Sequence, residues 1–325
     1  MFTQSAFVLL NEIVLTEQIL AALHDQDFLV TLHKQGNDLL TRAVASDVCE
    51  VVIQTKQRAS VLIDGMNTTW PDKIPNDKED PVTFLSWHAA AFGAFAYPGC
   101  LARAVQECRT WPGAKKAVER HRALLRVRFS YEKEQESRDA SEAYPPFEEL
   151  VHITRLLLAL DRLPGVLGYF FPGGEALCSS ELLHATWEAF ERKGWKPFDL
   201  WIMWINRRLG HTAEAPDWAV IDTIGMWQLA VTDIEAFFQP ARYQPLQVAN
   251  WLANVASYLY DNGPIIEEGQ TVTGPGGKNW QAYRFESSVQ YPPRPVLCLR
   301  PLDGSIIPPR LLKRIPVLPR KTPQI

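Results

Sequence analysis

The side chains best suited to chemistry are carboxylates. Asp64, Asp222, Glu235, Glu267 and Glu268 fall at the ends of β-branched runs or in turns, where paired acids can serve proton transfer. If Asp64, Asp222 and Glu235 met His121 in one cleft, they would form an acid–base centre assembled from distant segments. Acids at turns also cap helices or stay solvated, and both readings stand. The seven histidines contain no H-E-x-x-H or H-x-H pairing, and the five cysteines (Cys49, Cys100, Cys108, Cys178 and Cys298) contain no C-x-x-C pair to hold a metal. His88, inside an apolar run, reads as a core histidine in preference to a ligand. The cysteines read as buried thiols, although Arg103 and Arg109 place a base near Cys100 and Cys108. No G-x-S-x-G nucleophile turn is present. The glycine-rich stretch Gly269 to Lys278 lacks phosphate-loop order and leads into a strand instead of a helix, so it reads as a hairpin turn. No catalytic, cofactor-binding or metal-binding residue is assigned.

A second kind of chemistry is recognition by charge. Glu132, Glu134, Glu136, Asp139 and Glu142 crowd a stretch with no apolar periodicity. Such a run is a solvated loop, or an acidic landing surface for a basic partner, because exposed charges steer encounter. These five residues are the candidate partner-binding set. The net charge of -4, from 37 acidic and 33 basic residues, is too mild to point to nucleic acid or to a membrane surface. Eleven tryptophans supply large buried area and are also frequent at binding surfaces.

The elements that must position these groups alternate between strand and helix patterns. Ala6 to Leu10 reads as a buried strand, Thr16 to His24 as a helix capped by Thr16, and Asp27 to His33 as a second strand. Glu50 to Thr55 and Ser60 to Met66 form a hairpin. Val82 to Ala96 is apolar nearly all round, as a buried helix would be, and shorter helices follow at Cys100 to Cys108 and Ala114 to Glu119. Ala123 to Phe129 alternates apolar residues with Arg126 and Arg128, the pattern of a half-exposed strand. Beyond the acidic run, Pro146 to Asp161 is helical and Gly165 to Phe171 is a buried strand. Ser179 or Ser180 caps a helix to Arg192, and Leu200 to Ile205 reads as a central strand. Trp218 to Leu229 and Thr232 to Phe238 are antiparallel neighbours. A helix opens at Pro245 with Leu246, Ala249, Leu252, Ala253, Ala256 and Leu259 as its core stripe, and short strands follow at Ile265–Ile266 and Trp280 to Phe285.

This order predicts an α+β protein of mixed β-sheets with packed helices, as one large body or two closely packed lobes. The expected divisions are an N-terminal lobe over 1–131, a charged linker over 132–145, a C-terminal lobe over 146–287 and a proline-rich basic tail over 288–325. The tail holds nine of the chain's 24 prolines, with seven basic residues against Asp303 alone, and is expected to run extended along the body or be mobile, without helix or central strand. No basic n-region precedes the short apolar run at Ala6, and no apolar run reaches bilayer length, so a cytoplasmic protein is expected.

The stretch Ser60 to Pro75, with Met66, Trp70-Pro71 and Ile74-Pro75, resembles the N-terminal part of a bacterial family, domain of unknown function 4261. His121 to Val127 is similar to that family's histidine-led strand. Thr223-x-Gly225-Met226, Asp233-Ile234-Glu235, Tyr258 and Glu268 to Gly274 resemble its C-terminal block in the right order, with Gln270 where an acid is commoner. The resemblance implies a fold and no established reaction. By analogy, large bacterial proteins without a catalytic constellation are similar to immunity proteins that accompany secreted antibacterial toxins. The expectation is a non-catalytic binder that neutralises a cognate toxin. The alternatives are an enzyme with an assembled carboxylate or histidine site, and a chaperone or adaptor for a secreted effector.

Overall fold

Residues 2–33, 47–53, 59–131, 145–209 and 217–316 are described by a computed structural model. The fold is α+β, with helices packed on two sheets. The chain divides into two compact units, Met1–Met203 and Trp204–Ile325. The division does not fall at the charged stretch 132–145, because strands from both sides of that stretch hydrogen-bond in one sheet.

In the first unit, β1 (Phe2–Leu10), β2 (Val30–His33), β3 (Val48–Ile53), β4 (Ala59–Met66), β5 (Ala123–Tyr131), β6 (Val166–Phe171) and β7 (Ala176–Cys178) pair in the order β2-β3-β4-β5-β1-β6-β7. Every pairing is antiparallel. α1 (Thr16–His24) has Leu15, not Thr16, at its N-cap, and the Leu15 N–H donates to Gln18 Oε1 at 2.9 Å. The apolar run from Val82 does not form one buried helix. α2 (Pro81–His88) stops after two turns because Ala90, at φ +53°, reverses the chain, and Ala91 N–H returns to the Ser86 carbonyl at 2.9 Å. The rest of the run is therefore a turn that drops Phe92 into the core, while His88 is left exposed. That turn lies close to β1: a Cβ on Gly93 would meet Ser5 Oγ at 2.3 Å. α3 (Cys100–Glu107) and α4 (Ala114–Arg120) complete this side of the core, where Phe7, Trp70, Phe92, Leu124 and Phe170 gather. α5 (Pro146–Leu160) packs on β1 and against α1. α6 (Ser180–Lys193) is capped by Ser179 Oγ, which accepts from Leu182 N–H at 3.2 Å. Leu200 and Trp201 belong to a single turn, α7 (Phe198–Trp201), and not to a strand.

β5 is not half-exposed. Its basic face is as buried as its apolar face, with Arg126 and Arg128 enclosed beside Asp64, their neighbour on β4. Arg126 Nε and Nη2 donate to the two Asp64 oxygens at 3.0 and 2.5 Å, Arg128 Nη2 lies 3.4 Å from Oδ1, and Arg126 Nη1 donates to the Ala91 carbonyl at 3.0 Å. Removing one partner of a buried pair leaves an uncompensated charge. Asp64→Ala is expected to lower stability by about 3–5 kcal/mol, read as a reduced urea midpoint.

In the second unit, β8 (Met203–Leu209), β9 (Trp218–Ile224), β10 (Asp233–Phe238), β11 (Thr271–Thr273), β12 (Asn279–Phe285) and β13 (Val296–Pro301) form a sheet in the order β11-β12-β13-β10-β9-β8. The proline-rich tail thus contributes an interior strand: β13 lies between β12 and β10 and runs parallel to β10. This differs from the expected tail without a strand. The prolines cluster outside Val296–Pro301, whose apolar residues are free to pair on both sides. α8 (Pro245–Asn262) covers one face, burying Val248, Leu252, Val255, Ala256 and Leu259. Leu246 was expected in that stripe and is 71% exposed, because it lies in the first turn and off the inner face. Ile265 and Ile266 are not in a strand.

Candidate functional site

Two features of the second unit bring together residues of the kinds singled out in the sequence. The first is a buried ionic cluster on the sheet face opposite α8. Trp218, Val220 and Asp222 alternate along β9, Glu235 and Phe237 along β10, and Cys298 follows on β13. The register places Asp222 against Glu235 and Glu235 against Cys298. Asp222, Asp233 and Glu235 are fully buried. Arg294, just before β13, reaches into them: Nη2 donates to Asp222 Oδ1 at 2.7 Å and to the Thr223 carbonyl at 2.5 Å, and Nε lies 3.3 Å from Asp233 Oδ2. Its Nη1 donates to the Pro292 carbonyl at 2.8 Å. Arg314, from the segment after β13, places Nη2 2.5 Å from Glu235 Oε1.

Asp233 also closes the β9–β10 connection. Its Oδ1 accepts from Thr223 Oγ1 and from Met226 N–H, both at 3.0 Å, and Thr223 Oγ1 accepts from Ile234 N–H at 2.9 Å. The Thr223-x-Gly225-Met226 and Asp233-Ile234-Glu235 motifs are therefore two halves of one hydrogen-bonded corner.

Three carboxylates face two guanidiniums here. Burial first, then Glu235 and Asp233 beside it, push the Asp222 carboxyl up to about 7 against the pull of Arg294. Burial likewise raises Asp233, again opposed by Arg294. Burial works against the Arg294 charge, yet the carboxylates around it outweigh that and raise its pKa. Burial and Glu235 also push the Cys298 thiol well up, which makes it a poor nucleophile.

The second feature is an open groove of about 580 Å³ between α8 and β11. Trp251, Val255, Tyr258, Ile265, Ile266 and Val272 line it. Trp251 Nε1 donates to the Thr273 carbonyl at 3.1 Å and its ring lies 4.7 Å from the buried Trp280 ring. β11 and β12 form the expected hairpin, closed by Gly274 N–H to the Lys278 carbonyl at 2.8 Å. Gln270 caps the preceding turn, its Oε1 accepting from Glu267 N–H at 3.0 Å, and Glu268 accepts from Arg284 N–H.

The remaining sequence candidates lie elsewhere. Asp64 is held by Arg126 in the first unit, where His121 Nε2 accepts from Trp70 N–H at 2.9 Å. Glu132, Glu134, Glu136, Asp139 and Glu142 lie outside the described residues. Sequence reasoning missed Arg294 and Arg314. The signal available was three acids inside apolar strands that need counter-cations, next to a tail rich in base and nearly free of acid.

The second unit is thus a mixed-sheet domain whose strands are joined by buried ion pairs. Residues 222–300 match the family described as Domain of unknown function (DUF4261). The match takes in the corner, the three carboxylates and Arg294 of the cluster, and the groove hairpin, and it runs past Ser288 through most of β13; Arg314, Ser60 to Pro75 and His121 to Val127 lie outside it. No curated protein and no solved structure matches the chain.

Two outcomes test this geometry. The Asp222 carboxyl sits above its ordinary value of 3.8, so the native state holds a proton that the unfolded chain releases. Its contribution to stability is full below 3.8 and is lost as pH rises through about 7. The urea midpoint of the unaltered chain is expected to fall relative to that of Asp222→Asn as pH is raised across this window. At the hairpin, a Cβ on Gly274 would lie 2.5 Å from Trp280 Cδ1 and 3.0 Å from Trp251 Cε2. Gly274→Ala is expected to cost about 1–3 kcal/mol by thermal denaturation, from overpacking against the fully buried Trp280 ring.

Proposed function

We propose that the chain is a non-catalytic protein-binding protein of the bacterial cytoplasm, and that its concrete role is to bind and neutralise a cognate secreted antibacterial toxin. The observation that carries the binding reading is the open apolar groove beside β11, an edge strand of its sheet. Hydrogen bonds at Gly274 and Ala282 fix the alternation along β11, so the main-chain groups of Thr271 and the N–H of Thr273 point away from β12 and toward a new neighbour, while the Thr273 carbonyl already accepts from Trp251 Nε1. Such an edge accepts an extended partner segment by main-chain pairing, while Tyr258 and Ile265, half-exposed at 51% and 45%, supply apolar contact. Among the described residues no group of histidine, cysteine or acid side chains has the arrangement to hold a metal ion, and no helix is long and apolar enough to cross a membrane.

The enzyme alternative draws on Asp64, His121, Asp222 and Glu235, each of which is engaged within its own unit by the contacts described above. A second binding reading, an adaptor for a secreted effector, gains from the same groove because an extended peptide fits beside an edge strand.

Co-expression with the product of the adjacent upstream gene separates these readings. A toxin inhibitor is expected to rescue growth and to form a stable complex. Tyr258→Asp with Ile265→Asp should weaken that complex by about tenfold or more, since exposed apolar anchors can be replaced without unfolding the chain. A complex without rescue favours the adaptor, and arrest without a complex sinks the immunity reading for that neighbour. Glu132→Gln, Glu134→Gln, Glu136→Gln tests the acidic stretch in the same assay: an unchanged association rate at low salt removes it from the interface.

A further inference from the structure

We propose that Glu235 is the floor of a guanidinium-binding site, and that Arg314 occupies this site as a displaceable ligand supplied by the chain itself. This goes beyond the binder reading and does not depend on the groove. Three kinds of group meet the Arg314 side chain. Glu235 Oε1 lies 2.5 Å from Nη2, the Phe285 ring centroid lies 3.8 Å from Cζ, and the Ser287 carbonyl accepts from Nη1 at 3.2 Å. A carboxylate, an aromatic face and a carbonyl together match a flat, delocalised cation with forked donors; an ammonium group would not use the ring and the fork at once.

Glu235 is only partly used by this occupant. It is fully buried, yet among the described residues neither of its oxygens receives a well-directed hydrogen bond. Arg294, the other cation of the cluster, is committed to Asp222, Asp233 and nearby carbonyls. A buried carboxylate without directed donors is costly, and a guanidinium free to align could give it two parallel bonds.

The segment that delivers Arg314 is shallow. From Leu302 to Pro316 no residue is fully buried, whereas Trp218, Phe237, Cys298 and Glu235 lie deeply enclosed on the sheet face below. Ile307, Leu311 and Leu312 rest partly buried on that cluster. Ile315 N–H donates to the Ser288 carbonyl at 2.9 Å, and Tyr243 OH holds Asp303 at 3.0 Å. A strap with so few buried groups can open locally without unfolding the sheet. The ligand that would replace it is an arginine side chain on a partner polypeptide.

The test uses the full chain, N-acetyl-arginine amide as probe and N-acetyl-lysine amide as control, followed by NMR titration and amide exchange. Because occupancy by Arg314 lowers the apparent affinity of a competitor, Arg314→Ala is expected to bind the arginine probe about tenfold or more tightly than the unaltered chain. Glu235→Gln in that background should abolish the gain; if that variant does not fold, Phe285→Leu should weaken binding several-fold instead. Excess arginine probe should also speed exchange of the Ile315 amide in the unaltered chain, a readout that a purely structural lock would not move. A folded Arg314→Ala chain without saturable binding, equal binding of the lysine probe, or Ile315 exchange indifferent to the probe would each overturn the proposal.

Discussion

Neutralising buried carboxylates is the constraint on which the second unit depends. Asp222, Asp233 and Glu235 stand fully buried on two adjacent strands, and such charges are tolerated only when cations and donors are brought to them. Arg294 answers two of them and ties β9, β10 and the segment before β13 together with one side chain. Interior placement of β13 and the presence of Arg294 are therefore coupled: the strand enters the sheet beside the residue that neutralises it. The first unit solves the same problem with Asp64 between Arg126 and Arg128, where the register of β4 and β5 sets acid against base.

Once the charges are placed, the two faces of the second sheet acquire different coverings. α8 closes one face through a continuous apolar stripe, a covering that requires a whole helix to be displaced. The other face holds the ions, the aromatic residues Phe237, Tyr283 and Phe285, and the Arg300 guanidinium 4.4 Å from the Tyr283 ring, under a strap of irregular chain. The strap has no fully buried residue, so in the proposed exchange the ionic face is the one that opens. The tryptophans divide along similar lines: Trp201, Trp218 and Trp280 are core residues, while Trp251 forms the wall where the sheet edge meets the groove.

Local elements were legible where the sequence period and the packing agree. The helices at Thr16, Cys100, Pro146 and Pro245, the hairpin before Met66 and the antiparallel pair on either side of Gly225 follow from periodicity and turn residues. The readings that differ from the structure share a cause. An alternation of arginine and apolar residues in β5 says nothing about whether an acid waits on the next strand, and the apolar run after Val82 does not reveal that Ala90 turns back. A high proline count in the tail hid the six residues of β13, because composition averages over a segment while strand pairing is decided residue by residue.

By itself, then, the sequence determined the α+β character, most of the local elements and the corner motifs around Thr223 and Asp233, all of which depend on neighbours close in the chain. Only the tertiary structure decided which acids meet which arginines, since Arg294 lies 72 residues from Asp222. It alone placed the tail over the ionic face and left a groove beside β11. Those outcomes depend on strand order and register, which arise from the packing of distant segments and leave no local periodic trace.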